Sequence, residues 1–236
     1  MKISDEGIII SKSIFGETSL ILKIFSSQYG IISGLYKGGL TSKNKYLLEL
    51  GNIVDFEKNS RLDSQLGIFK IDLKESYLSY IFNNKLKLTI FITILDLIKA
   101  LIVEKENIED FYFLTKNLII ILQKEDEIKN YLLWELKLLE AIGFGLDFSK
   151  CVITSRVDDL YYLSPKTGKS VIKEIGEKYH NKLFIIPQFF LNPSLQNITT
   201  QELSLGFKIS THFLDNFAKE YNKIIPLSRN QILGIK

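Results

Sequence analysis

Lysines without neighbouring carboxylates are the side chains of this chain that could do chemistry. No Asp or Glu occurs between Glu17 and Glu49, a window rich in Lys. Ammonium groups with no acids nearby can neutralise phosphates, so this window predicts contacts with a nucleic-acid backbone. The candidate contact residues are Lys23, Lys37, Lys43, Lys45 and, just beyond the window, Arg61.

A second group of basic side chains lies near the C-terminus. Its members, candidates for contact with a partner, are Lys208, His212, Lys219 and Lys223. Phe207, Phe213 and Phe217 occur among them. An exposed apolar groove flanked by lysines would seat an acidic peptide with an aromatic tip. If the aromatic residues form core instead, these lysines are simply solvated.

Side chains suited to catalysis or metal binding are scarce. The chain has two histidines, His180 and His212, and one cysteine, Cys151, and none lies near another in sequence. A structural zinc site needs about four such ligands, and a nucleophile needs a base beside it. No Walker sequence or GxGxxG motif is present. The sequence therefore predicts neither an enzyme nor a bound cofactor or metal.

The net charge and the pattern of apolar residues limit the class of protein. The net charge is only +3, and three of the 30 basic residues are arginine. Lysine binds phosphate as a point charge and reads bases poorly, so binding is expected to be weakly sequence-specific. One cysteine fits a reducing compartment. The apolar run 89–103 is interrupted by Asp96 and Lys99, so we expect no membrane span and a cytoplasmic location.

Short apolar, β-branched segments fill the first third of the chain. They cover residues 7–14, 20–24, 31–36, 52–58 and 66–71, with Gly, Ser, Asn and Asp between them. Five short strands in about 70 residues fit a small OB-type β-barrel, whose loops and one face commonly bind single strands. A barrel of this kind with no ligand fits the same pattern.

Helical spacing of apolar residues replaces the strand pattern from about residue 78. It predicts helices near 86–101, 111–122, 128–142 and 203–221, the last preceded by a capping box at Thr199 and Glu202. Residues 161–172 read as a β-hairpin. The expected fold is α+β: a five-stranded OB-type barrel over 1–78, then a mainly helical domain over 79–236 with an irregular hairpin insert around 146–190.

Several segments, taken in order, resemble the RecO family of bacterial recombination mediators. The segment GIIISKSIFGETSLILKIFSSQYGIISGLYKGG is similar to the opening of that family, and LELGNIVDFEKNSRLDSQLGIFKIDL to its fourth and fifth barrel strands. The central and C-terminal segments that match are WELKLLEAIGFGLDFSKCVIT, DDLYYLSPKTGKSV and PLSRNQIL.

This resemblance implies a DNA repair and homologous recombination mediator without enzymatic turnover. It implies binding of single- and double-stranded DNA, annealing of complementary strands, and partnership with RecR and with the acidic tail of single-strand-binding protein. It also implies help in loading RecA, and association with the nucleoid during repair. By position, Lys37, Lys43 and Lys45 match the family's basic loop, with Lys23 and Arg61 as weaker additions.

The sequence departs from the family pattern at one place, and two alternative functions remain open. Many members carry a four-cysteine zinc module that begins at the position of Cys151, but Thr154 stands where the second ligand would be. Zinc is therefore not expected, and Cys151 is predicted to be a small buried residue. The alternative functions are an RNA-binding OB-fold protein and an interaction scaffold that contacts no nucleic acid.

Overall fold

Five strands open the chain and close into a barrel. A computed structural model of the protein describes residues 2–41, 44–61, 66–104, 106, 108–123 and 127–234. The barrel strands are β1 (Lys2–Phe15), β2 (Ser19–Ser26), β3 (Gly30–Tyr36), β4 (Ile53–Asn59) and β5 (Ile68–Glu75). Their order is β1-β2-β3-β5-β4, and β4 pairs with β1 to close the ring. This ring is the OB-type barrel that the sequence predicts.

Alternation of side chains builds the barrel core. The inward residues of β2 are Leu20, Leu22 and Ile24, all buried. Because successive residues of a strand point to opposite faces, the same rule places Phe56 and Phe69 inside, where their rings meet edge to face with centroids 5.6 Å apart. The apolar periodicity read from the sequence therefore selects the correct inner face.

Tight backbone contacts close the barrel where side chains leave little room. Gly34 on β3 faces the ring of Phe69, and a Cβ at that position would lie 2.5 Å from a ring carbon. The loop after β3 returns to the barrel at Leu48, which is fully buried in its core. The Gly51 N–H then donates to the Ile9 carbonyl at 2.7 Å, which joins the loop to β1.

Helices follow the barrel, as predicted. The helices are α1 (Leu78–Ile81), α2 (Lys85–Leu101), α3 (Glu109–Ile121), α4 (Glu127–Ala141), α5 (Lys173–Gly176), α6 (Gln188–Leu191), α7 (Thr200–Glu220) and α8 (Leu227–Gly234). The predicted capping box is present, since Thr199 accepts from the Glu202 N–H and Glu202 accepts from the Thr199 N–H. Helix α8 has no counterpart in the sequence-based expectation. It packs on α2, and Ser228 Oγ donates to Asp96 Oδ2 at 3.0 Å.

A small antiparallel sheet lies between α4 and α7 in the chain. Its strands are β6 (Leu160–Leu163), β7 (Ser170–Ile172) and β8 (Phe184–Ile185), in the order β7-β6-β8. The first two form the predicted hairpin, whereas β8 is too short to show a strand pattern in sequence. Helices α4 and α7 pack together near Tyr131 and Phe207, whose ring centroids are 6.4 Å apart.

The packing of the chain separates two compact units. One comprises residues 1–125 and 226–236, and the other comprises residues 126–225. Helices α2, α3 and α8 thus belong with the barrel, although the sequence places them after it. The predicted domain boundary at 78/79 marks the change from strands to helices. That it separates two functional domains stays a prediction. Within the part of the chain that the structure describes, no helix is long and apolar enough to cross a membrane.

Candidate nucleic-acid interface

The outer face of β2 and β3 carries three rows of side chains. The rim is defined here as the barrel end at which β2 begins and β3 ends. From the rim downward, the paired residues are Ile21 with Leu35 in the upper row, Lys23 with Ser33 in the middle row, and Phe25 with Ile31 in the lower row. This is the barrel face that commonly receives oligonucleotides in OB folds, together with the β1–β2 and β4–β5 loops.

The lower row is covered by helix α3 and the segment before it. Phe25 is fully buried, and its ring lies 6.2 Å from that of Phe111 and 5.5 Å from that of Tyr112 between centroids. Gly30, at the turn between the two strands, has a φ of +63°, and a Cβ there would lie 2.2 Å from the Glu106 carbonyl oxygen. A ligand therefore has no access to this part of the face.

The middle row holds one of the predicted contact residues in an ion pair. Lys23 Nζ lies 2.6 Å from Glu104 Oε1, and the two side chains are 39% and 51% exposed. Exposed pairs of this kind contribute little to stability. The Glu104 carboxylate nevertheless offsets the positive charge that Lys23 would present to a phosphate.

Lys37 is exposed and lies at the rim, directly after β3. The Leu40 N–H donates to the Thr18 carbonyl at 3.2 Å, so the loop that carries Lys37 contacts the β1–β2 turn. This turn also contains the exposed Glu17, the acid that borders the acid-free window.

Arg61 is exposed on the β4–β5 loop, just beyond the end of β4. Ile68, at the start of β5, pairs with Leu35 on one side and with Asn59 on the other. Because β3 runs parallel to β5 and β4 antiparallel to it, the chain leaves this row in opposite directions towards Lys37 and Arg61. Lys2, Asn59, Ser60 and Arg61 line a shallow depression at the end of β4. Lys2 is paired with Glu57 at 3.0 Å, and Arg61 adds an exposed cation to this depression.

Lys45 is exposed on the loop between β3 and β4. Asn44, just before it, donates from its side chain to the Gly38 carbonyl at 3.0 Å, and this hydrogen bond ties the middle of the loop to its start. Tyr46, just after it, is exposed. Lys43 lies outside the residues that the structure describes.

Exposed apolar side chains at the rim are the feature that the sequence analysis missed. Phe15, the last residue of β1, is 52% exposed, and Ile14 beside it is 71% exposed. Both belong to an apolar strand, and the neighbouring residues in the sequence do not indicate that this strand extends beyond the barrel core. The register of β1 with β2 provides the missing signal, because Phe15 pairs with Ser19 at the first position of β2.

A network of charges fixes α3 against the barrel. Glu6 accepts hydrogen bonds from Tyr112 Oη at 2.8 Å and from Lys116 Nζ at 2.8 Å, and Lys74 Nζ lies 2.6 Å away. Burial alone would raise the pKa of Glu6, but hydrogen bonds from Lys116, Lys74 and Tyr112 outweigh it and lower that pKa to about 2. Burial and the hydrogen bond to Glu6 raise the pKa of Tyr112. Glu6 is therefore an anchor for the helix that covers the lower row.

The predicted aromatic groove on α7 is wrong as an exposed surface. Phe207, Phe213 and Phe217 are all buried, because the apolar face of α7 is core. The lysines of this set are exposed, and His212 is half-buried. Lys208 Nζ lies 5.6 Å from the centre of the Phe184 ring, and His212 Nε2 lies 3.1 Å from the Pro165 carbonyl oxygen.

The end of α7 keeps a smaller apolar surface. Tyr221 stacks on Phe217 with ring centroids 4.8 Å apart, yet it is 54% exposed. Lys219 and Lys223, two residues before and after it, are exposed. Their contact with a partner stays a prediction.

Cys151 is buried, as predicted, among the side chains of the small sheet. Burial raises the pKa of its thiol, but hydrogen bonds from Thr154 and from backbone N–H groups of Ile153, Thr154 and Ile172 outweigh this effect and lower it to about 7. Among the described residues, no group of three His, Cys, Asp or Glu side chains is placed to hold a metal ion. Cys151 packs with hydrophobic residues of this sheet.

A closed five-stranded barrel with helices packed on it and after it defines an OB-barrel protein with a helical C-terminal part. The family models for the N-terminal and C-terminal parts of recombination protein O match residues 1–77 and 84–221. The chain therefore belongs to the recombination protein O family, which confirms the resemblance seen in the sequence.

Curated relatives agree with this assignment over nearly the whole chain. The chain is 36% identical to the DNA repair protein RecO of Rickettsia canadensis over 94% of its own length and 92% of the relative. It is 35% identical to the DNA repair protein RecO of Rickettsia akari over 99% and 98% of the two chains.

Proposed function

We propose that the protein is a DNA repair and homologous recombination mediator that binds single- and double-stranded DNA at the barrel rim and anneals complementary strands. The observation that carries this proposal is the exposed Lys37 directly after β3, beside the open upper row of the face that OB barrels use. The β4–β5 loop that carries Arg61 reaches the same row, where the Leu35 N–H donates to the Gly67 carbonyl at 2.9 Å. The name of the curated relatives supports the repair role.

Charge neutralisation explains how such a rim would promote annealing. Two DNA strands repel each other through their phosphates, and cations between them lower that repulsion. Lys37 and Lys45 sit on one loop, and Arg61 on another. Lys23 contributes less, because Glu104 pairs with it. Binding is expected to weaken steeply with salt and to depend little on base sequence.

The proposed partners are those that the family resemblance implies. We include RecR, the acidic tail of single-strand-binding protein and, indirectly, RecA among them. The exposed lysines on and after α7 would receive the acidic tail, with Tyr221 as an apolar contact between Lys219 and Lys223. Lys208 and His212 lie further along the same helix. A DNA substrate places the protein in the bacterial cytoplasm, at the nucleoid during repair.

An annealing assay tests the assignment of the rim. Complementary oligonucleotides coated with single-strand-binding protein are mixed with the wild type, with the triple variant Lys37→Ala, Lys43→Ala, Lys45→Ala, or with a control. The matched control, Lys150→Ala, Lys178→Ala, Lys182→Ala, removes the same charge from lysines that are exposed outside the barrel. The rim variant is expected to lose most annealing while the control retains it.

Two results would contradict the proposal. Equal annealing by the rim variant and the wild type would show that the loop does not hold DNA. A strong preference for RNA in a side-by-side titration with strands of matched sequence would favour the RNA-binding alternative. Circular dichroism of each variant checks that the fold is intact.

A further inference from the structure

Phe15 and Lys37 lie on the same side of the sheet, one row above Ile21 and Leu35. Phe15 is paired with Ser19, and residues directly opposite one another in an antiparallel pair share a face. Ser19 is two residues before Ile21 on β2, so it continues the outer face upward. Lys37 is two residues after Leu35 and follows β3 directly, so the same alternation places it on this face.

The distance between these two residues allows an aromatic ring and a cation to contact the same ligand. Phe15 pairs with Ser19 on β2, and Lys37 directly follows Tyr36, whose partner on β2 is Leu20. Phe15 and Lys37 therefore flank the start of β2 from its two neighbouring strands. Neighbouring strands are about 4.8 Å apart, so the two backbones are about 10 Å apart, within reach of a ring and a lysine side chain. Half of the Phe15 side chain is open to solvent, and Lys37 is exposed.

We infer that Phe15 and Lys37 form a subsite for one nucleotide of single-stranded DNA, in which the ring stacks on the base and the ammonium contacts the phosphate. This inference rests on the proposed function and adds the part of the DNA that is recognised. An aromatic ring can stack on any unpaired base, whereas in a duplex the base faces are already stacked on their neighbours. The subsite therefore selects single strands at the rim without selecting a sequence.

The neighbouring parts of the face keep the ligand at the rim. The lower row is buried beneath α3, and the middle row is held by the pair between Lys23 and Glu104. Of the described residues on this face, the half-buried Ile21 and Leu35 lie below a base stacked on Phe15. The exposed ring is thus placed where the outer face remains open.

The test compares a base-bearing strand with an abasic strand. Both are DNA of about 12 nucleotides, within the site size of one OB barrel, and binding is measured by fluorescence anisotropy. Wild type is expected to prefer the base-bearing strand. Phe15→Ala should weaken binding of that strand about tenfold and leave the abasic strand unchanged. Phe15→Trp should restore the preference, with indole fluorescence quenched on binding.

Two controls separate this inference from the proposed function. Ile14→Ala removes the adjacent and more exposed side chain, which points to the other side of β1 and should leave both affinities unchanged. Lys37→Ala should weaken both strands by the same factor, since it removes a phosphate contact. A base preference that survives Phe15→Ala overturns the subsite alone. Failure of wild type to bind either strand overturns the subsite together with the proposed function.

Discussion

Lysines and aromatic residues occur together in two regions of the sequence, and the structure separates the two cases. At the barrel rim, Phe15 is half exposed and Lys37 is exposed. On α7, Phe213 and Phe217 are buried while Lys208 and Lys219 remain at the surface. On a helix, residues three and four apart share a face, so an aromatic stripe is the core side and lysines fall on the other. At a strand end, the barrel core can no longer cover the next side chain.

The largest difference between the two regions is expected in stability. Phe217→Ala would leave a cavity beside Phe144 and Tyr221, whose rings both contact it, and should lower the free energy of unfolding by about 3–5 kcal/mol. Phe15→Ala should change it by less than about 0.5 kcal/mol, because its side chain is half exposed. Urea unfolding measures both values. Similar losses in the two variants would show that Phe15 is part of the core.

An effect of intermediate size on stability is expected at Glu6, which holds α3 over the lower row of the barrel face. The pKa of Glu6 is lowered from 4.5 to about 2 in the folded protein, which stabilises the fold at neutral pH by less than roughly 3 kcal/mol, because solvent screens the ion pairs. This contribution is complete above the unfolded pKa and is lost as pH falls from about 4.5 towards 2. Glu6→Gln should therefore be less stable than wild type at pH 7. It should also show a flatter loss of stability in acid, measured by denaturant unfolding at several pH values.

That prediction depends on the contacts of Glu6 with α3 and β5. If Glu6→Gln unfolds in acid with the same steepness as wild type, the carboxylate is not the group that responds to pH. Asp55→Asn is a suitable control, since Asp55 shares Lys74 with Glu6 at a longer distance of 3.6 Å. It should leave the acid profile nearly unchanged.

The smallest effect is expected in the salt dependence of DNA binding, where two lysines of the same barrel can be compared. Lys37→Ala should reduce the slope of log affinity against log salt by about 0.7 for single-stranded DNA, the value for one lost phosphate contact. Lys23→Ala should change that slope by less, because Glu104 is 2.6 Å from its ammonium group. Glu104→Gln should then raise the contribution of Lys23. Equal slopes for Lys23→Ala and Lys37→Ala would show that the ion pair does not limit Lys23.

The local parts of the fold were accessible from sequence. Alternation at Leu22 and Ile24 identifies the inner face of β2, and Thr199 with Glu202 marks the start of α7. These features depend on residues within a few positions of one another. The family resemblance also follows from local segments and was confirmed by comparison.

The candidate site depended on contacts that no local pattern contains. Lys23 meets Glu104 across 81 positions of sequence, and Phe25 on β2 meets Phe111 on α3. Such contacts decide which lysine is available and which part of the face is open. The packing of α8 on α2 could not be predicted for the same reason, because it is a contact between segments that are distant in sequence.

The cover over Phe25 and Ile31 sets the direction in which a bound strand can travel. With the bottom of the face closed by α3, a polymer cannot follow the length of β2 and β3. In the proposed function, the strand instead passes crosswise over the upper row, from the β1–β2 turn towards the β4–β5 loop. Its footprint would then be short, and nucleotides on both sides of it would stay free to pair with a second molecule.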